Sequence, residues 1–172
     1  MTDPMIAFSD ALGRRVRMGS WQDQRISTYR KIHEAIDDGR WDDAALLANY
    51  FVEEASVCYG IYRQWIPDIK RFMADNGVPK TEIEAAEARI VEKLALPDGT
   101  PWNHLRQWHL VHEACERLVA HVYREEADAA HAALDELKET WRRCHDRDVD
   151  HTYGLMSELV ARLGESALGR MW

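Results

Sequence analysis

From Ala127 to Leu163 apolar residues recur at the helical period almost without a break. At about 1.5 Å per residue, a straight helix of that reach is longer than a compact domain of this size is wide. The rest of the chain must therefore be built along this helix, and a bend is expected at Gly154. Its buried stripe reads Ala130, Leu134, Leu137, Trp141 and Cys144, then turns polar at His145, Asp148 and His151. Beyond them it becomes apolar again at Leu155 and Leu159. A carboxylate at a core position costs several kcal/mol unless partners, a cation or water satisfy it, so this patch is the main clue to function.

The preceding chain supplies helices to pack against it. Ile26, Tyr29, Ile32, His33 and Ile36 mark one helix over about Gln22 to Asp38, stopped at Gly39. Trp41 to Lys70 is the clearest helix, opened by Asp42 and Asp43, with Leu47, Phe51, Ile61 and Trp65 on one line that also holds Glu54 and Cys58. Pro67 is expected to kink or end it, with a continuation stopped at Asn76-Gly77. Thr81 with Glu84 reads as a capping box for a short helix to about Leu94. A further helix starts near Pro101 and runs to Tyr123, with Leu105, Trp108, Cys115, Leu118, Val119 and Val122 on its buried arc. Gly164 is a stop before one last helical turn. With no alternating strand pattern, the fold is all-α: an antiparallel four-helix-bundle-like core with additional short helices. Residues 1–20 read as an arm and 21–172 as a single domain.

Composition narrows the partners. A net charge of −8 argues against nucleic acid or an anionic membrane, which are bound chiefly by clustered Lys and Arg. The N-terminal sequence lacks a basic leader before an apolar run, no stretch approaches membrane-spanning length, and Cys58, Cys115 and Cys144 form no close-spaced pair. The expected setting is cytoplasmic, with reduced thiols that serve as small core residues.

Three helices carry polar groups near their middles: Glu54 with Cys58, His109 with His112 and Glu116, and His145 with Asp148 and His151. In an antiparallel bundle such positions sit at similar heights, so they are expected to converge on one interior site. Carboxylate and imidazole together suit iron, manganese or zinc, with iron first, and His112 with Glu116 one turn apart can grip an ion from a single helix. The expected metal ligands are Glu54, His112, Glu116, Asp148 and His151. Tyr62 and His145 are the candidate catalytic groups, and Trp65, Trp108 and Trp141 the candidate walls of an aromatic pocket.

The spacing Asp148-Val149-Asp150-His151 resembles the Glu-x-x-His step of ferritin-like di-iron proteins. That resemblance implies ligation by Asp148 and His151 from one helix and a bridging carboxylate from another, here Glu54. The family has two such steps, whereas this chain offers His112-x-x-x-Glu116 in place of the second. One ion held by two histidines and a carboxylate fits equally well.

The reading is a metal-dependent helical-bundle enzyme of the non-haem oxidase, oxygenase or hydrolase kind, in which the ion activates oxygen or water against a small organic substrate, aromatic ones included. Two alternatives stand beside it: a bundle that holds a small ligand or haem, and an assembly protein whose long C-terminal helix forms a homodimer. The bland account of each residue also stands. Aromatics and cysteines fill helical cores, and histidines on an apolar margin often hydrogen-bond a neighbour.

Overall fold

The computed structural model describes residues 18–171, with side chains from residue 27 onward except those at 54, 57–59, 61 and 62. Among the described residues all regular structure is helical, as the periodicity requires. The helices are α1 (Met18–Asp37), α2 (Trp41–Asp75), α3 (Lys80–Lys93), α4 (His104–Tyr123), α5 (Ala127–Leu163) and α6 (Ser166–Met171). The arm expected at residues 1–20 lies almost wholly outside the described residues.

The helices form two compact units. The α1 unit comprises Gly19–Tyr59 and Asn103–His145, and the α6 unit comprises Gly60–Trp102 and Asp146–Trp172. Because α2 and α5 each contribute to both, no Pro- or Gly-rich linker separates the units in sequence.

The α1 unit is an up-down-up-down bundle of α1, the start of α2, α4 and the start of α5. Cross-links between neighbours run in opposite sequence directions: Tyr29 and Asp37 on α1 meet Asp135 and His131 on α5, while Ala48 and Ser56 on α2 meet Cys115 and His112 on α4. Ile32, Ile36, Phe51, Val111, Leu118 and Leu134 are buried between the four helices. The α1 to α2 turn closes on Gly39 at φ 67°, with the Gly39 and Arg40 amides donating to the carbonyls of Ile36 and Ala35. This is the glycine stop expected from the sequence.

In the α6 unit, α3 and the end of α5 lie antiparallel, joined by Arg162 to Glu82 and Arg89 to Glu158. Trp65, Met73, Ile83, Leu155, Leu159 and Leu168 fill its core. Helix α5 does not end at Gly154. A Cβ there would come within 2.9 Å of Ile90 Cγ2, so the glycine serves close packing of α5 on α3.

Some expectations are corrected. Helix α2 continues through Pro67 to Asp75. Pro67 and Arg63 both lie on the exposed face. Thr81 and Glu84 form no capping box, because Pro79 occupies the N-cap and Thr81 is already inside α3. Helix α4 starts at His104, capped by Asn103 Oδ1 accepting from the Arg106 amide. Leu105, expected inside, is 66 % exposed. The buried arc is turned toward Gln107 and Ala114. Among the described residues, no helix is long and apolar enough to cross a membrane.

Candidate metal centre

The rotation of α4 decides where its polar residues go. His109, His112 and Glu116 all lie on the solvent side of the helix. His109 pairs with Glu113 one turn on, and His112 Nε2 lies 3.5 Å from Ser56 Oγ, whose hydroxyl donates to the Val52 carbonyl. His112 and Glu116 therefore line an open groove against α2 instead of entering the core.

The polar run of α5 is buried, as its stripe predicts. His145, Asp148, His151 and Thr152 are between 0 and 5 % exposed. In the α1 unit, His145 lies against the Trp141 ring at 5.2 Å, and Trp141 meets the edge of Phe51 at 5.8 Å. Trp108 is buried in the same unit.

In the α6 unit, which also buries Trp65, the Thr152 hydroxyl donates to the Asp148 carbonyl and His151 turns to α3. Its Nε2 lies 3.3 Å from Glu87 Oε1, at the long end of hydrogen-bonding range. The Lys70 ammonium donates to the other oxygen, Oε2. His151 first and Lys70 second hold the Glu87 carboxyl down at about 2, against the opposing effect of burial. The side chains of Glu54 and Tyr62, expected as a metal ligand and a catalytic group, lie outside the described residues.

Among the described residues, a group of three metal-ligating side chains does meet elsewhere, in the α1 unit. His33 and Asp37 stand one turn apart on α1, and His131 reaches across from the first turns of α5. One ligand atom from each lies within 4.8 Å of the others. His33 Nδ1 is 3.0 Å from Asp37 Oδ2, and His131 Nε2 is 2.9 Å from Asp37 Oδ1. The two rings lie 4.2 Å apart at 41°. One carboxylate is thus gripped by two imidazoles, each able to exchange an N–H for a metal bond.

The backbone register that makes this meeting is held by neighbours above and below it. One turn earlier on α1, the Tyr29 hydroxyl donates to Asp135 Oδ1 at 2.6 Å, and Lys138 sits 4.3 Å from the Tyr29 ring centroid. Burial and the facing Asp135 push the Tyr29 phenol up to about 12, so it stays a donor across the physiological range. Beneath this polar seam Ile32, Ala35 and Ile36 pack with Ala130, Ala133 and Leu134. His131 Nδ1 is buried with no partner among the described residues, which leaves Nε2 as the nitrogen presented to Asp37.

Helical spacing offers His33-x-x-x-Asp37 as readily as His112-x-x-x-Glu116. Neither His33 nor His131 is among the ligands expected from the sequence; the His131 side chain is 25 % exposed. Its role depends on the register of two helices far apart in sequence, and that register leaves no local signal.

No family model matches the chain, and no curated protein or solved structure matches it either.

Proposed function

We propose that this protein binds one divalent transition metal ion through His33, Asp37 and His131 and uses the coordination positions left open for chemistry on a small molecule. The observation that carries the reading is the Asp37 carboxylate set between two imidazole nitrogens at 3.0 and 2.9 Å. Two histidines and one carboxylate form a ligand set suited to iron, manganese or zinc, and three protein ligands leave room for water or substrate. His33 and Asp37 are about half exposed, so the open positions are accessible. When bound, such an ion supplies Lewis acidity or a lowered pKa for bound water. The protein's own part is to hold the three donors, with Tyr29 and Asp135 keeping α1 and α5 in register.

Cobalt(II) titration of the metal-stripped protein, followed by visible absorption, tests this. One equivalent should give d–d bands that are lost in Asp37→Asn and in His131→Ala. Full-strength bands in both variants would remove these residues from the proposal.

A second reading keeps the ion in the interior of the α6 unit at Asp148 and His151, favoured by the complete burial of the Asp148 carboxylate. It predicts the opposite pattern: bands lost in Asp148→Asn and kept in His131→Ala.

A further inference from the structure

The groove between α2 and α4 is a separate feature of the α1 unit. It encloses about 340 Å³, within the range of small-ligand sites. Val52, Cys115, Val119 and Ala120 give it an apolar floor, while Asn49, His112, Glu116 and Tyr123 supply its polar and aromatic groups. The Cys115 thiol donates to the Ala48 carbonyl at 3.4 Å, and burial with Glu116 nearby pushes it up to about 11. The floor is therefore neutral and the thiol unreactive.

Charge picks out the occupant. Among the described residues that line the groove none is Lys or Arg, and Glu116 is the one carboxylate, with His112 one turn before it. The chain's net charge of −8 adds a general attraction for cations. Tyr123 is 69 % exposed, an aromatic face left open to solvent beside that carboxylate. A carboxylate, an aromatic face and an apolar floor together fit an ammonium group on an apolar body.

We propose that this groove binds a small organic cation, an ammonium carried on an aromatic or branched aliphatic body, with Glu116 pairing to the ammonium, Tyr123 covering it, and the Val52 and Val119 floor taking the apolar part. Asn49 already donates to the Ala45 carbonyl through Nδ2, so the side chain presents Oδ1 as a further acceptor for an ammonium N–H.

Benzylamine, protonated at neutral pH, is the probe, with benzyl alcohol as its neutral counterpart. Both are titrated into the protein in EDTA and followed by amide chemical-shift changes, so the outcome does not depend on the metal reading. Saturable shifts on α2 and α4 are expected with the amine, and binding at least threefold weaker with the alcohol. Glu116→Gln should weaken the amine roughly fivefold, the upper end for an exposed ion pair. Tyr123→Ala should weaken it roughly threefold. Both positions are exposed, so both variants should keep the wild-type melting temperature. Equal binding of amine and alcohol, or unchanged amine affinity in Glu116→Gln, would overturn the proposal. So would zinc alone occupying the groove in EDTA-free buffer and requiring His112, with the amine failing to bind.

Discussion

Two carboxylates in this molecule are each held between two basic side chains, one in each unit. In the α6 unit Glu87 sits between Lys70 and His151, with Glu87 20 % and His151 4 % exposed. In the α1 unit Asp37 sits between His33 and His131, with Asp37 55 % exposed. The difference lies in the partners. A lysine ammonium is a permanent cation that cannot ligate a metal and repels one, so the Glu87 cluster is already complete as an ion-paired piece of the fold. Two imidazoles are neutral metal ligands, so the Asp37 cluster can exchange its protons for an ion. Burial then sets the expected consequences: breaking the first should cost stability, while breaking the second in the metal-free protein should cost little.

The largest expected effect comes from truncating the two carboxylates in turn. A carboxyl held from its ordinary 4.5 down to about 2 corresponds to roughly 3 kcal/mol. Glu87→Ala also strands a half-buried ammonium. Its melting temperature should fall by roughly 6 to 12 °C. The matching Asp37→Ala change, at an exposed pair in the metal-free protein, should cost under about 1 kcal/mol. Equal losses in calorimetry would erase the contrast.

Acid unfolding sharpens it further. Because the Glu87 pKa is depressed on folding, its contribution is fully present above about 4.5 and is lost as pH falls toward about 2. Denaturant titrations across that window should show the wild type losing up to about 3 kcal/mol more than Glu87→Gln. Parallel curves would show that the His151 and Lys70 contacts do not stabilise the charged form.

A smaller effect tests how tightly α5 lies on α3 beside that cluster. Gly154→Ala places a methyl within 2.9 Å of Ile90 Cγ2, a branched carbon that cannot swing away alone. A destabilisation of about 1–2 kcal/mol is expected, relieved in part by Ile90→Ala. If Gly154→Ala is instead stabilised by its better helix propensity, the contact is looser than described.

Much of the fold was legible because helix type and burial are written in local period. The stripe of α5, including its turn to His145, Asp148 and His151, is buried as the sequence predicts at every named position but Trp141, which is partly buried. The stops at Gly39 and Gly77 are real, both at positive φ. Errors arose where a local signal competes with tertiary packing. Pro67 does not end α2, which runs on to Asp75, and Leu105 lies off the α4 core because a first-turn residue need not share the arc of the turns that follow. That one rotation also carried His112 and Glu116 out of the expected interior site. The His33, Asp37 and His131 cluster was half legible: His33 and Asp37 are a visible one-turn pair, while His131 joins them through the α1 to α5 register alone.

The central claim is that His33, Asp37 and His131 hold a metal ion. Its most direct test is zinc content by elemental analysis after equilibrium dialysis, on the wild type, His131→Ala and Asp148→Asn. The account predicts one equivalent retained by the wild type and by Asp148→Asn, and none by His131→Ala. One equivalent retained by His131→Ala, or no zinc retained by the wild type, would contradict it.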